Sequence, residues 1–140
     1  YSKETRDRIN KIFEECRMTG IVDVQPILDL TPMCNDKGYY GIMKTVLEDE
    51  GVDVGIFATV PETVMLNSLP PSDGHKEDIF REGSFLDLLG RLRGETSKPF
   101  IVSVESGLKY DALADGIMKK GIPCFRVVDS AARVLAKIVG

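Results

Sequence analysis

Short apolar runs alternate with segments of helical periodicity along this chain, and no other feature limits the fold as strongly. The apolar runs lie at 26–30, 54–60, 100–104 and 124–128 and have few polar residues. Strands that are buried on both faces of a parallel sheet have this composition. The alternation predicts an α/β domain with about four parallel strands, right-handed crossovers and helices on both faces, as in a flavodoxin-like three-layer αβα sandwich.

Helices are predicted wherever apolar residues recur three and four positions apart. The first helix covers residues 2–18, and four more follow the predicted strands or the loops after them. Residues suited to cap or end these helices stand at the expected places. They are Asn35 or Asp36, Ser84 with Asp87 three residues later, Gly121, and Asp129 or Ser130.

The length of 140 residues predicts a single domain, 1–140, in which residues 1–19 form a leading helix. Because the chain begins at Tyr1 with a helical segment, we expect it to be excised from a larger multidomain enzyme. The net charge of −4 argues against a general nucleic-acid-binding protein, which usually has a basic face. The chain contains neither a long apolar run nor a signal peptide, which predicts a cytoplasmic protein with reduced thiols that does not enter a membrane.

Residues 61–83 interrupt the alternation with a long polar stretch. Connections of this length are uncommon in compact domains and are usually functional or mobile. A tolerated surface insertion explains the stretch equally well, and residues 63–69 could shorten it by forming a brief helix.

Several catalytic site types are excluded by missing motifs. No glycine-rich dinucleotide or nucleotide-phosphate motif and no nucleophile elbow is present. His75 is the only histidine and lies in a polar loop, so we predict neither a catalytic pair nor a metal site. Asp29 could serve a phosphate-receiver domain, but Thr59 stands where that site needs an acid. Cys34 precedes a helix N-terminus, which could lower its pKa, but without a partner base we interpret it as a bystander.

The carboxyl ends of the predicted strands hold the candidate binding residues, because ligands meet parallel sheets at that edge. We expect the loops 31–36, 59–63 and 105–107 to form one face that binds phosphate or docks a neighbouring domain. The candidates are Thr31, Asn35, Thr59, Thr63, Ser106 and Gly107. Helix capping and turn formation explain most of these residues as well.

Four carboxylates on the same loops favour domain docking over phosphate binding, because they would repel a free anion. They are Asp29, Asp36, Glu62 and Glu105. Because the catalytic motifs named above are missing, no residue of this chain is predicted to be catalytic.

Four segments, taken in order, resemble a known family. They read PILDLT at 26–31, EGVDVGI at 50–56, KPFIVSV at 98–104, and GIPCFR at 121–126 leading to DSAA at 129–132. The chain resembles, over about residues 20–140, the succinyl-CoA-ligase-like flavodoxin domain of NDP-forming acyl-CoA synthetases. It departs from the family at Gln25, where asparagine is frequent, and at 58–63, where related ligases have a glycine-rich phosphate-binding turn.

The resemblance implies an enzyme that joins an acid to CoA with a nucleoside triphosphate, through a phosphohistidine. That histidine and the CoA-binding and ATP-grasp domains lie outside this chain in such enzymes, as do the sites for CoA, nucleotide and Mg²⁺. This chain is then an accessory domain that is inactive alone and whose partners are those other domains. The alternative is a non-catalytic interaction or small-ligand-binding module on the same fold.

Overall fold

Three parallel strands form the sheet in a computed structural model that describes residues 1–139. Strand β1 is Gly55–Thr59, β2 is Phe100–Val104 and β3 is Cys124–Phe125. Gly55 pairs with Phe100, and Val102 pairs with Cys124. The prediction of parallel pairing among these three strands is confirmed.

The predicted strand at 26–30 was wrong, so the described sheet has three strands rather than about four. Residues 26 and 27 form a bend and residues 28–30 have no regular structure, and the Ile27 side chain is 88% exposed. Pro26 has no N–H for a ladder, and the Asp29 carboxylate accepts the N–H of Thr31 (3.0 Å) to make a local turn. The strand order β1-β2-β3 follows the chain, and the reversal of order expected for a flavodoxin-like sheet is not seen in this part of the chain.

Five α-helices accompany the sheet within residues 1–139, as the periodicity predicted. They are α1 Lys3–Glu15, α2 Asp36–Glu48, α3 Phe85–Glu95, α4 Asp111–Lys119 and α5 Val128–Val139. Helix α2 packs on α1 and α3, α3 packs on α4, and α5 contacts all three strands. This mixed α/β arrangement is compatible with a flavodoxin-like fold. All of these helices are too short or too polar to cross a bilayer.

Two buried apolar clusters hold the elements together. The larger one joins the sheet to α2, α3 and α4 through side chains such as Met43, Leu89 and Val102. The smaller one joins α1 to α2 through Ile9 and Phe13, and four apolar side chains of the following segment pack against it, those of Val22, Val24, Leu28 and Leu30. The segment 22–30 thus packs these four partly buried side chains on the two helices, with Ile27 exposed, instead of joining the sheet.

The long connection at 61–83 is packed against the domain rather than loose. It has turns and bends but no helix, so the short helix considered at 63–69 is not formed. Leu66 and Ile79 are buried in the larger cluster. Ser68 is fully buried, and its N–H donates to the Glu77 carboxylate (2.9 Å). These contacts fix both ends of the segment.

Asp49 ties the leading helix α1 to the end of α2. Its carboxylate accepts hydrogen bonds from the backbone N–H groups of Ser2 (2.8 Å) and Gly51 (2.8 Å). The Thr5 hydroxyl and these two N–H groups hold the pKa of Asp49 well below its ordinary value of 3.8.

Asp49→Asn is expected to destabilise the protein at neutral pH and to have a smaller effect as the solution becomes acidic. A carboxylate with a depressed pKa contributes its full stability above the unfolded-state pKa and loses it as pH falls through the folded-state value. Urea unfolding of both proteins from about pH 7 to about pH 2 measures this difference, with exposed Asp53→Asn as the control. A difference that does not change with pH would contradict the prediction.

Candidate functional site

The loop at 31–36 leads into α2 and is held by its own polar side chains. Thr31 has a φ of 53°, a left-handed conformation that is uncommon for a residue with a side chain. The Asn35 carbonyl oxygen Oδ1 accepts the N–H of Gly38 (2.9 Å), so Asn35 is the N-cap of α2, as predicted. Asp36 turns inward and accepts the N–H of Asn67 (3.0 Å).

The loop at 59–63 contacts the first loop directly. The Thr63 hydroxyl donates to the carbonyl oxygen of Pro32 (2.8 Å). Thr59 ends β1 with its side chain buried, and its hydroxyl makes no hydrogen bond of good geometry with residues 1–139. The neighbouring Tyr39 has a pKa that burial raises and that the Thr59 hydroxyl partly lowers again. Two of the predicted loops therefore form one surface.

The loop at 105–107 lies on the other side of the 59–63 loop. The N–H of Glu105 donates to the carbonyl oxygen of Thr59 (2.9 Å), and the Ser106 hydroxyl donates to the Glu62 carboxylate (2.6 Å). The three loops are thus joined by hydrogen bonds. We call residues 31–36, 59–65 and 105–108 the strand-end face.

Arg126, which the sequence interpretation did not single out, supports this face from the end of β3. Its guanidinium donates to the carbonyl oxygens of Ser106 and Gly107 and to the Asp111 carboxylate. Arginine can hold several acceptors at once because its planar group carries five donors. The sequence carried no signal for this role, because Arg126 falls inside the strand predicted at 124–128, whereas β3 ends at Phe125.

The polar groups of the strand-end face are largely engaged within the chain. The hydroxyls of Thr63 and Ser106 already donate, and that of Thr59 is buried. Gly107 is exposed at a φ of −70°, which requires no glycine, and its carbonyl accepts from Arg126 (2.7 Å). Few of the predicted donors therefore point to a free ligand.

The helix N-termini of the chain are also poor sites for an anion. Each helix from α2 to α5 has an aspartate in its first turn, which offsets the positive end of the helix dipole. These residues are Asp36, Asp87, Asp111 and Asp129. These carboxylates oppose a free phosphate, although Asp36 is buried and faces Asn67.

Large apolar side chains are exposed on all three parts of the strand-end face. Val64 is 96% exposed and Leu108 is 85% exposed. Met33, Val60 and Met65 are also exposed. Exposed apolar side chains that cluster beside polar ones are typical of protein interaction surfaces.

Two further side chains, Cys34 within the strand-end face and His75 outside it, differ in part from what the sequence predicted. Cys34 is completely buried, and burial raises the pKa of its thiol, so the lowered pKa considered for it was wrong. His75 is partly buried, and its Nδ1 has no partner among residues 1–139. Two surface grooves, one of about 410 Å³ along α1 and one of about 230 Å³ between α2 and α3, contain none of the predicted site residues.

No three side chains of His, Cys, Asp or Glu within residues 1–139 lie close enough together to hold a metal ion. Comparisons with protein-family models, with curated proteins and with solved structures find no match for this chain.

Proposed function

We propose that this chain is a non-catalytic accessory domain of an NDP-forming acyl-CoA ligase and that it docks the other domains through its strand-end face. The order of the motifs at 26–31, 50–56, 98–104 and 121–132 supports the family. The parent is then a cytoplasmic enzyme built on CoA-binding, phosphohistidine and ATP-grasp domains. This chain adds a flavodoxin-like domain in three layers.

The observation that carries the docking proposal is the exposed apolar surface on the joined loops. Val64 and Leu108 lie almost entirely in solvent, on two segments that the Ser106–Glu62 hydrogen bond holds together. Burial of such side chains releases about 25 cal/mol for each Å² removed from water, which favours association with a protein surface. Hydrogen bonds within the chain hold these loops together before binding, which lowers the ordering cost of association.

The chemistry of the parent enzyme is consistent with catalysis by the other domains and docking by this chain. The ligase converts acid, CoA and nucleoside triphosphate to acyl-CoA, nucleoside diphosphate and phosphate, and a phosphoryl group passes through a histidine of another segment. The chain contributes neither that histidine nor a nucleotide cradle, and its aspartates at the helix N-termini disfavour phosphate. Its contribution is to position the domains that carry the substrates.

The proposal is tested by NMR titration of the ¹⁵N-labelled chain. One series adds inorganic phosphate or CoA, and the other adds the CoA-binding, phosphohistidine and ATP-grasp segments of a ligase of this family. We expect shifts at residues 31–36, 59–65 and 105–108 with the protein segments only. Saturable binding of phosphate or CoA would favour the small-ligand module instead. Shifts confined to α5 or to residues 70–82 would overturn the placement.

Val64→Asp is expected to weaken this docking about tenfold, because a charge replaces an apolar group that becomes buried. The matched control is Met118→Asp, which changes an exposed apolar residue in the last turn of α4, away from the strand-end face. Titration calorimetry measures both affinities. Equal losses of docking affinity in the two variants, or no loss of affinity in Val64→Asp, would argue against this face.

A further inference from the structure

Two cysteines from different parts of the sequence meet over Gly38 in the first turns of α2. Cys16 is the C-cap of α1, and Cys34 directly precedes the N-cap of α2. A Cβ atom placed on Gly38 would lie 2.5 Å from the Cys16 sulfur and 2.8 Å from the Cys34 sulfur. The Cys16 and Cys34 sulfurs are therefore at most about 5.3 Å apart, which is the sum of the 2.5 Å and 2.8 Å distances. Any side chain at position 38 would collide with both.

The two thiols differ in their access to solvent. Cys34 is completely buried, whereas Cys16 is only partly buried. Burial, followed by the neighbouring Cys16, raises the pKa of the Cys34 thiol. A small oxidant therefore reaches the Cys16 sulfur first, and Cys34 is held beside it as the second thiol of the pair.

We propose that Cys16 and Cys34 form a redox-active pair that hydrogen peroxide converts to an intramolecular disulfide. The Cys16 thiol loses its proton, its sulfur attacks one peroxide oxygen and the O–O bond breaks, so that a sulfenic acid forms and the departing hydroxide takes up the proton to give one water. The Cys34 sulfur then attacks the Cys16 sulfur, and the S–O bond breaks with release of a second water. Two thiols are oxidised by two electrons in total, and one peroxide is reduced to two waters.

The disulfide would connect the end of α1 to the start of α2. It closes the segment between residues 16 and 34, which includes the bend at 26–27 and Thr31. Cross-linking removes conformational freedom from the unfolded chain, so the oxidised form is the more stable one. The same bond restrains the 31–36 loop of the strand-end face. A thiol reductant restores the two free cysteines.

The experiment treats the reduced chain with one equivalent of hydrogen peroxide and blocks the remaining thiols under denaturing conditions. Trypsin cuts after Lys11, Arg17 and Lys37, so the two cysteines fall in separate peptides, 12–17 and 18–37. Mass spectrometry is expected to find these peptides linked, two hydrogens lighter than their sum. The melting temperature is expected to rise by about 5–10 °C and to return with dithiothreitol.

Two variants make the test specific. Cys124→Ser removes the third cysteine, which lies in β3, and is expected to leave the linkage unchanged. Cys16→Ser is expected to leave Cys34 reduced under the same treatment, because Cys34 is buried and then has no neighbouring thiol to be oxidised first. A link to Cys124, a disulfide between two chains, or sulfinic acid at Cys16 beside a free Cys34 would each overturn the proposal.

Discussion

Phe85→Ala is expected to lower the free energy of unfolding by about 3–5 kcal/mol. Phe85 is the first residue of α3, is 1% exposed, and belongs to the larger apolar cluster. Its ring meets the Tyr39 ring edge to face, with centroids 5.5 Å apart, which joins α3 to α2. Truncation removes this contact and leaves a cavity between two helices.

Phe80→Ala is the matched control for this substitution. The Phe80 side chain lies five residues earlier in the chain and is 67% exposed. Its removal is expected to change the unfolding free energy by no more than about 0.5 kcal/mol. Urea unfolding followed by circular dichroism compares the two variants. If Phe85→Ala and Phe80→Ala lowered the free energy of unfolding by similar amounts, the packing described for α3 would be contradicted.

The helices could be predicted because their signals are local. Apolar spacing and the cap at Ser84 lie within one or two turns of chain, and the Ser84 hydroxyl does accept the N–H of Asp87 (3.2 Å). The strands at 54–60 and 100–104 were recognisable because each run contains only one polar residue, Thr59 and Ser103 respectively. The strand at 124–128 is shortened to two residues because α5 begins at Val128.

The error at 26–30 shows what an apolar run cannot reveal. Its residues favour a strand, but a strand also needs a partner for its backbone groups. Here the Asp29 carboxylate binds the N–H of Thr31, and the side chains of Leu28 and Leu30 pack against the α1–α2 cluster. This competition between a local turn, helix packing and the sheet depends on residues far away in the sequence.

The loop at 31–36 was expected in this face because of a strand at 26–30 that is not formed. The adjacency of the other two loops could be predicted, because they follow β1 and β2 and parallel strands bring their carboxyl ends to one edge. The hydrogen bonds that join the loops could not. Arg126 reaches back to Ser106, Gly107 and Asp111, and Thr63 reaches Pro32. Such pairings depend on side-chain direction in the folded state. The role of the face is a prediction that the titration experiment tests.

Asp36 gives the clearest example of a residue whose partner the sequence did not reveal. It was considered as one of several carboxylates that repel an anion, yet it is buried and accepts the backbone N–H of Asn67 (3.0 Å) and its side-chain amide. Asn67 lies in the middle of the 61–83 connection and is itself buried. The first turn of α2 therefore holds a segment that composition alone suggested was loose.

Asp36→Ala is expected to lower the free energy of unfolding by about 2–5 kcal/mol, because two buried donors of Asn67 lose a charged acceptor. Asp73→Ala, at an exposed position of the same connection, is the control and is expected to cost no more than about 0.5 kcal/mol. Urea unfolding measures both costs. Trypsin provides a local measurement, since release of the connection in Asp36→Ala should speed cleavage after exposed Lys76 before the whole domain unfolds. Wild-type stability together with wild-type cleavage in Asp36→Ala would contradict the role assigned to this carboxylate.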